Sequence, residues 1–452
     1  MTTGKTDTTR RGCRAIALAC TFVLVAMAAW AADFDIRDHG AKGDGKTDDT
    51  AAIQRTIDAC VKAGGGRVVV SRGIYMSYTI TLGSNVDLHL EEGAVIRGGT
   101  VGEKYPDFTP SVFWRPERSP RFNRKAFLYT VGATNVALTG TGEIDGNAEI
   151  FHRWSDEKRR FVRISDTNLT GRCVFFVACR NVRVEDVLIR RPTGWATWFL
   201  DCDNLKISRL RIACNRNYMN GDGIHLGACR DVVVTDCNVD SEDDALILRA
   251  HQEQMIRPRP LERVLVSNCV FRAQRPDGIR LGWSGDAPLK DIVVTHCRIT
   301  HSGKGIECRI PGIYRWSNID PPRGCRLGGT LAYAPEDVHR PDWLSAPKGM
   351  LPFSLENIRF EHLDVRAENC PIFFEMFAPK PDGPKWHNDC DQTPTTPFKN
   401  VVFAHCRFYC NAMPSFAPPP LLRFEGLVFE DVQFLPWIPE DHFGRVLMRV
   451  VR

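Results

Sequence analysis

One nonapeptide phrase constrains this chain more than any other feature: Asn or Asp, apolar, any, apolar, any, any, apolar, any, apolar. It recurs at residues 181–189, 204–212, 231–239, 291–299, 357–365 and 400–408, with 426–434 as a variant and a looser copy at 261–271. Alternation of period two marks a strand with one buried face. A repeat of this length marks a solenoid in which each coil buries its neighbour's apolar face. A second short strand per coil is expected between the phrases, at 224–226, 245–248, 279–281, 306–308 and 372–374. The fold class that follows is all-β, a right-handed parallel β-helix with two strands per coil, occupying most of the chain as one domain.

The amino-terminal region reads differently. Arg10, Arg11 and Arg14 precede an apolar run over 15–30, and Ala29-Trp30-Ala31 offers small residues before a cleavage point. Residues 1–31 are therefore expected to be a secretory signal, with a mature chain of 32–452 that is secreted or periplasmic and free of the membrane once cleaved. The formal charge of +5 includes four cations and one acid within that signal, which leaves about +2 and makes no case for a nucleic-acid partner. Over 47–63, Ile53, Ile57 and Val61 share one face, Thr47 or Asp48 can cap and Gly64-Gly65-Gly66 can stop. That predicts a short helix closing the open end of the solenoid, where an exposed edge would invite aggregation. Three interruptions, at 105–125, 311–352 and 379–397, are expected to be loops; their Trp114, Trp316, Trp343 and Trp386 can either stack on sugar rings or anchor the loops.

Seventeen cysteines would suggest disulfides in an exported protein, yet Cys13 and Cys20 leave with the signal and an odd number remains. Cys237, Cys297 and Cys406 take the phrase position held elsewhere by Val187, Leu210, Leu363 and Val432, and Cys269 falls there too. They are expected to be a column of buried thiols. No CxxC pair occurs, and no metal or other cofactor is expected.

Chemistry concentrates at the entries to the short strands. Asn220-Gly221-Asp222-Gly223 enters one, and Asp243-Asp244 enters the next, 21 residues after Asp222 and so about one coil on. The three carboxylates should be neighbours. Adjacent strand residues point to opposite faces, so Asp243 and Asp244 can share a groove only at a strand entry or a bulge. Clustered carboxylates repel, which keeps one protonated while another stays ionised. Glycoside hydrolysis needs such a pair, roughly 6.5–9.5 Å apart when the configuration inverts. A Ca²⁺ site or turn-stabilising Asp residues would use the same spacing.

At these residues the chain resembles glycoside hydrolase family 28, the polygalacturonase-like enzymes. The resemblance begins at His39-Gly40-Ala41-Lys42-Gly43-Asp44-Gly45 and continues through 64–70, 85–93 and 140–146. Its more specific part is Asn220-Gly221-Asp222 followed by Asp243-Asp244. The resemblance implies a pectin-like polysaccharide as partner, galacturonan or rhamnogalacturonan, hydrolysed by a monomer with Asp243 as general acid and Asp222 and Asp244 on the attacking water. Two departures accompany it. The family's Gly-His-Gly reads Pro276-Asp277-Gly278 here, and its Arg-Ile-Lys reads Glu307-Cys308-Arg309. Asn220, His225, Asp277, Arg280, Glu307 and Arg309 are the expected substrate-binding set, with Asp277 and Glu307 repelling an acidic sugar and Arg280 and Arg309 either attracting it or neutralising those acids. A polysaccharide lyase using Arg280 or Arg309 as base, or a glycan-binding β-helix without turnover, are the alternatives.

Overall fold

The coils are stacks of three strands. The structure, a computed structural model, describes residues 32–108, 125–165, 171–250, 255, 258–275, 277–282, 286–310, 326–327, 331–332, 353–376, 398–416 and 422–436. Strands from 33 to 436 assemble into three parallel ladders, which is the β-helix expected. One coil runs Arg172–Val177, Arg180–Glu185 and Leu188–Arg190; the next runs Thr197–Leu200, Asp203–Ser208 and Arg211–Ala213. The phrase covers the second and third strand of each such coil, and the short strands that separate the phrases form another ladder.

Two strands per coil was therefore one too few, and the backbone gives the reason. The sixth residue of the phrase takes a positive φ in every copy: Asp186 +69°, Arg209 +53°, Asp236 +58°, His296 +51°, His362 +51°, His405 +52°. The chain turns a corner there, and the seventh residue points back into the core. The first residue takes a positive φ as well, for example Asn181 +53° and Asn204 +53°, which explains its Asn or Asp, the residues besides glycine that visit this region most readily. Those side chains then bond from coil to coil, Asn181 Nδ2 to Asn135 Oδ1 at 2.8 Å, Asn204 to Asn181 at 2.9 Å and Asn400 to Asn357 at 2.9 Å.

Register is kept residue on residue. Val182, Leu205, Val232, Val264, Ile292, Ile358 and Val401 pair in one line through the ladder, each nearly inaccessible to solvent. Burial on this scale, about 25 cal/mol per Å² of apolar surface, is what the repeat contributes to stability. Cys237, Cys269, Cys297 and Cys406 form the expected buried column, each thiol donating to the carbonyl two residues back at 3.2 Å. A second thiol column, Cys179, Cys202 and Cys229, follows the corner residues Ala178, Asp201 and Ala228 and was not foreseen. All thirteen described cysteines are free thiols.

The helix spans Thr50–Lys62 and buries Ile53 and Ile57, while Val61 is 41% exposed. It starts one or two residues later than predicted because Thr47 and Asp48 belong to the strand Asp44–Asp48, and Asp49 stands at the cap. The Asp49 carboxylate accepts from the Lys42 and Gly43 amides at 2.7 and 3.0 Å instead of capping. Gly65 has φ +124°, and a Cβ there would stand 2.5 Å from the Asn85 carbonyl, so the stop must be glycine. The helix packs on the strands Asp33–Asp35 and Gly66–Val70, at the first coil.

Other expectations are only partly met. Tyr105, taken as the start of a loop, is a core residue whose hydroxyl donates to Gly99 O at 3.0 Å, and Phe108 stacks on Tyr129 at 3.7 Å. Residues 1–31, 109–124, 311–325, 333–352 and 377–397, with Trp114, Trp316, Trp343 and Trp386, lie outside the described residues. An antiparallel hairpin, His152–Ser155 with Arg160–Arg163, leaves the solenoid and was not predicted.

Replacing Asn204 by Ala should lower stability by about 1–2 kcal/mol, from the cost of a positive φ and the lost side-chain bond. Asn204→Gly should lose less, since glycine restores the backbone freedom. Guanidinium denaturation followed by tryptophan fluorescence checks this; equal losses would show that the corner dihedral is not the constraint.

Candidate active site

The site lies where the short ladder is entered from the preceding strand. Inward residues of this ladder stack as Ile224, Leu246, Ile279, Ile306 and Ile372, and again as Leu226, Leu248, Leu281, Cys308 and Phe374, all inaccessible. Alternation turns the residue between them outward, so His225, Ile247, Arg280, Glu307 and Phe373 form one outer row in that order. Ile247 is only 1% exposed yet stands apart from the core cluster, as an outward residue should.

Before each strand comes the turn that carries the carboxylates. The Gly223 amide donates to Asp244 O at 2.8 Å and the Ala245 amide to Asp277 O at 3.1 Å, so Asp222, Asp244 and Asp277 sit one above the next, followed by Lys304, which pairs with Asp277. A Cβ on Gly223 would stand 2.3 Å from the Ala245 carbonyl, which is why this contact admits glycine. Asp243 shares the turn: its amide donates to Gly221 O at 3.2 Å, its carbonyl accepts from Ser241 Oγ at 2.7 Å, and its carboxylate takes the Asp244 amide at 3.2 Å and Asn220 Nδ2 at 3.4 Å. The three catalytic candidates meet at a strand entry, as the alternation argument required.

Arg280 organises the other half. Its guanidinium is 6% exposed and contacts Asp244 Oδ1 at 3.1 Å and also Oδ2, Asp277 Oδ2 at 2.5 Å and Glu307 Oε2 at 3.1 Å. Lys304 pairs with Glu307 and lies over the Phe373 ring at 4.0 Å. Asp277 and Glu307, expected to repel an acidic sugar, are fully buried and spend their charge on Arg280 and Lys304. Arg280 also fills the space between Asp244 and Asp277 that a cation bridging them would need. The Arg309 side chain lies outside the described residues.

Several neighbours escaped the sequence reading. Arg172 is buried with its guanidinium on the Trp195 ring at 3.7 Å, and Trp195 in turn packs on His225 at 4.1 Å. His225 is thus 1% exposed beneath aromatic rings, separated from Arg280 by Ile247. The hairpin delivers Arg163, which donates to Asn220 Oδ1 at 2.7 Å, and Phe161, which stacks on Tyr218 at 4.4 Å. Glu242 is buried next to Asp243 with Arg275 at 3.8 Å. Arg249 makes a buried two-point contact with Asp286 at 2.8 and 3.0 Å. For Arg172, Trp195, Glu242 and Arg249 the signal was a place just before or within an outer row; the hairpin residues gave none.

Burial sets the proton affinities. It pushes Asp243 up to about 7, with the charge of Asp244 adding to the effect and Arg280 opposing it. Burial, then Asp243 and Asp244, drive Asp222 well above the carboxylate range. Burial raises Asp277 too, against the pull of Arg280, and lowers His225, which Arg249 and Arg172 reinforce. Glu242 rises to about 7 by burial. The cluster can therefore hold a transferable proton near neutral pH beside a carboxylate pinned by a guanidinium, which is an acid and a base on one face. A second polar depression, lined by Arg67, Asp87, His89, Thr139 and Arg183, lies on a different ladder and shares none of these groups.

The chain is similar to known proteins in sequence and in fold. The profile of glycosyl hydrolases family 28 matches residues 118–315, and one described as rhamnogalacturonase A/epimerase, pectate lyase-like, matches 34–89. An exo-poly-alpha-D-galacturonosidase of Dickeya chrysanthemi is 25% identical over 315 residues, 61% of this chain and 51% of that protein. The chain spans about half the length of the curated relatives it matches. A hyperthermoactive exopolygalacturonase from Thermotoga maritima shares the fold with a TM-score of 0.64 at 18% identity, over 88% of this chain and 92% of that one. The endo-xylogalacturonan hydrolase of Aspergillus tubingensis does so at 0.59 and 16% identity, over 90% and 93%.

Arg280→Met should cost about 3–5 kcal/mol, because it strands buried carboxylates. Protonation relieves those carboxylates, so the loss should be smaller at pH 5 than at pH 8. Denaturant midpoints at the two pH values measure it; a loss that does not change with pH would show that the guanidinium acts by packing alone.

Proposed function

From the match of residues 118–315 to glycosyl hydrolases family 28 we infer that this chain is a member of that family and that it hydrolyses O-glycosidic bonds of a pectin-like polysaccharide, galacturonan or rhamnogalacturonan, with inversion. The observation that carries the reading is Asp243: partly exposed, pushed up to about 7, and seated between the buried Asp222 and the arginine-bound Asp244. A carboxyl that still holds its proton near neutral pH can give it to the leaving oxygen as the glycosidic bond breaks. Asp244 and Asp222 hold a water on the opposite side of the sugar; the water's oxygen bonds to the anomeric carbon and its proton passes to Asp244. Attack opposite the leaving group inverts the configuration. Exchange with solvent then restores the proton of Asp243 and removes the one on Asp244.

The lyase alternative asks Arg280 or Arg309 to act as a base, and of the two the Arg280 side chain lies among the described residues. Asp244, Asp277 and Glu307 hold that guanidinium in its protonated form well above its ordinary range, although burial acts the other way. That speaks for hydrolysis.

We also propose that residues 1–31 are a cleaved secretory signal and that the mature chain starts near Ala32; no described helix is long and apolar enough to cross a membrane. Amino-terminal sequencing of protein exported by its host should read from that position, and an intact Met1 on exported protein would refute the cleavage.

Purified protein should release reducing ends from polygalacturonan or rhamnogalacturonan without ultraviolet-absorbing unsaturated products. Asp243→Asn should lower kcat by about 10²–10⁴-fold, the usual contribution of a general acid. Because the acid works only while protonated, kcat should fall as pH rises through about 7. Unchanged turnover in the variant, or a product of retained configuration by NMR, would refute the assignment.

A further inference from the structure

We propose that Arg163 is a positioning residue for Asp243: acting through Asn220, it fixes which end of that amide faces the acid, so that the acid's proton is left for the leaving oxygen. The role rests on the hydrolytic reading above and gives the hairpin a task in the reaction.

Donor chemistry leaves one arrangement. A guanidinium carries donors and no acceptor, so the atom it meets on Asn220 must be the oxygen. Arg163 Nη2 donates to Asn220 Oδ1 at 2.7 Å, which turns Asn220 Nδ2 toward Asp243 Oδ2, 3.4 Å away. The other oxygen of Asp243 accepts from the Asp244 amide at 3.2 Å. Both oxygens of the acid therefore look at donors, and neither of these neighbours can take its proton. With the amide rotated by half a turn, Asn220 Oδ1 would face the acid instead. A protonated Asp243 would then donate to Asn220, and the proton would be held there rather than aimed at the substrate. The two ends of an amide differ little in size, so hydrogen-bond partners decide its orientation.

Simpler roles for these residues do not account for the arrangement. Asn220 has φ +59°, a conformation that asparagine tolerates well, but this does not set the direction of its amide. The hairpin is also docked without the Arg163 side chain. Phe161 N donates to Asn217 O at 2.8 Å, Met219 N donates to Phe161 O at 3.1 Å, and the Phe161 ring stacks on Tyr218 at 4.4 Å. The charged groups facing Asp243 are Asp222 from the coil before, Glu242 and Asp244 from its own turn and Arg280 from the coil after, with Arg163 behind Asn220.

In Arg163→Met the amide is released to turn. There kcat should fall about 10–100-fold, the scale of one hydrogen bond to a charged group, with KM nearly unchanged. The basic limb of the kcat profile should move up by about one pH unit, because a carboxyl that donates to Asn220 holds its proton more tightly. Arg163→Lys should recover part of the lost kcat, since an ammonium also has donors only. Asn220→Gly deletes the amide and keeps the positive φ. Adding Arg163→Met to Asn220→Gly should change kcat by less than about twofold and leave the limb in place. A lost charge or a loosened hairpin would still act in that background. A titration reads the same lock without turnover. In protein labelled with ¹³C at aspartate side-chain carboxyls, the resonance lost in Asp243→Asn should titrate about one unit higher in Arg163→Met, and not when Asn220→Gly is also present.

A limb and a resonance that stay in place in Arg163→Met, or that move equally with and without the Asn220 side chain, would overturn the proposal in proteins whose circular dichroism and melting show a native fold. So would Arg163→Lys turning over no faster than Arg163→Met. A wild-type protein that cleaves no glycan, while the Asp243 resonance shifts as stated, would instead overturn the hydrolytic reading and leave the amide lock standing.

Discussion

Everything in this molecule depends on one coil resting directly on the next. Parallel pairing puts counterparts about 4.8 Å apart across the ladder, whatever their distance in sequence. Asp222 and Asp244, and then Asp244 and Asp277, become neighbours because of this spacing and for no local reason. The spacing survives only if each coil turns its corners at the same places, and positive φ at the first and sixth phrase residues secures two of them. The Asn side chains at the first corner bond vertically and so record the register in a second set of hydrogen bonds.

The remaining corner, where the chain enters the short ladder, is not held to a fixed length. It takes six residues between Arg190 and Thr197, ten between Ala213 and Ile224, and four between Ser241 and Leu246. Chemistry has gathered at the corner the solenoid leaves free. There, burial raises several acids while one guanidinium steadies three of them, and the two effects together separate an acid from a base.

Much of this was readable in the sequence. The phrase announced the solenoid, and the 21 residues from Asp222 to Asp243 announced the carboxylate cluster. What escaped had physical causes. The doubled unconstrained step in the phrase is a corner, which polarity alone does not reveal because Asp186, Arg209 and His296 are polar surface residues there. The alternation placed Arg280 and Glu307 outward but could not say that they would meet each other and Asp244 before meeting a ligand. The hairpin strands His152–Ser155 and Arg160–Arg163 are too short to carry a period, and Arg172 meets Trp195 only because Arg172–Val177 and Thr197–Leu200 are adjacent in the ladder. Helix onset was misplaced because Asp49 serves the backbone at Lys42 and Gly43, a tertiary demand that local capping rules do not contain.

The two thiol columns bear on how the chain must fold. Neighbouring thiols on successive coils, with the Cys237 amide 3.4 Å from Cys269 Sγ, are close enough to react in any partly ordered state, while in the finished coil their burial keeps oxidants away. In an oxidising compartment, folding becomes a race between stacking and sulfur chemistry, and a coil that closes late is one that can be locked in the wrong place. In such a compartment the column that fills the core would make speed of assembly a condition of correct assembly.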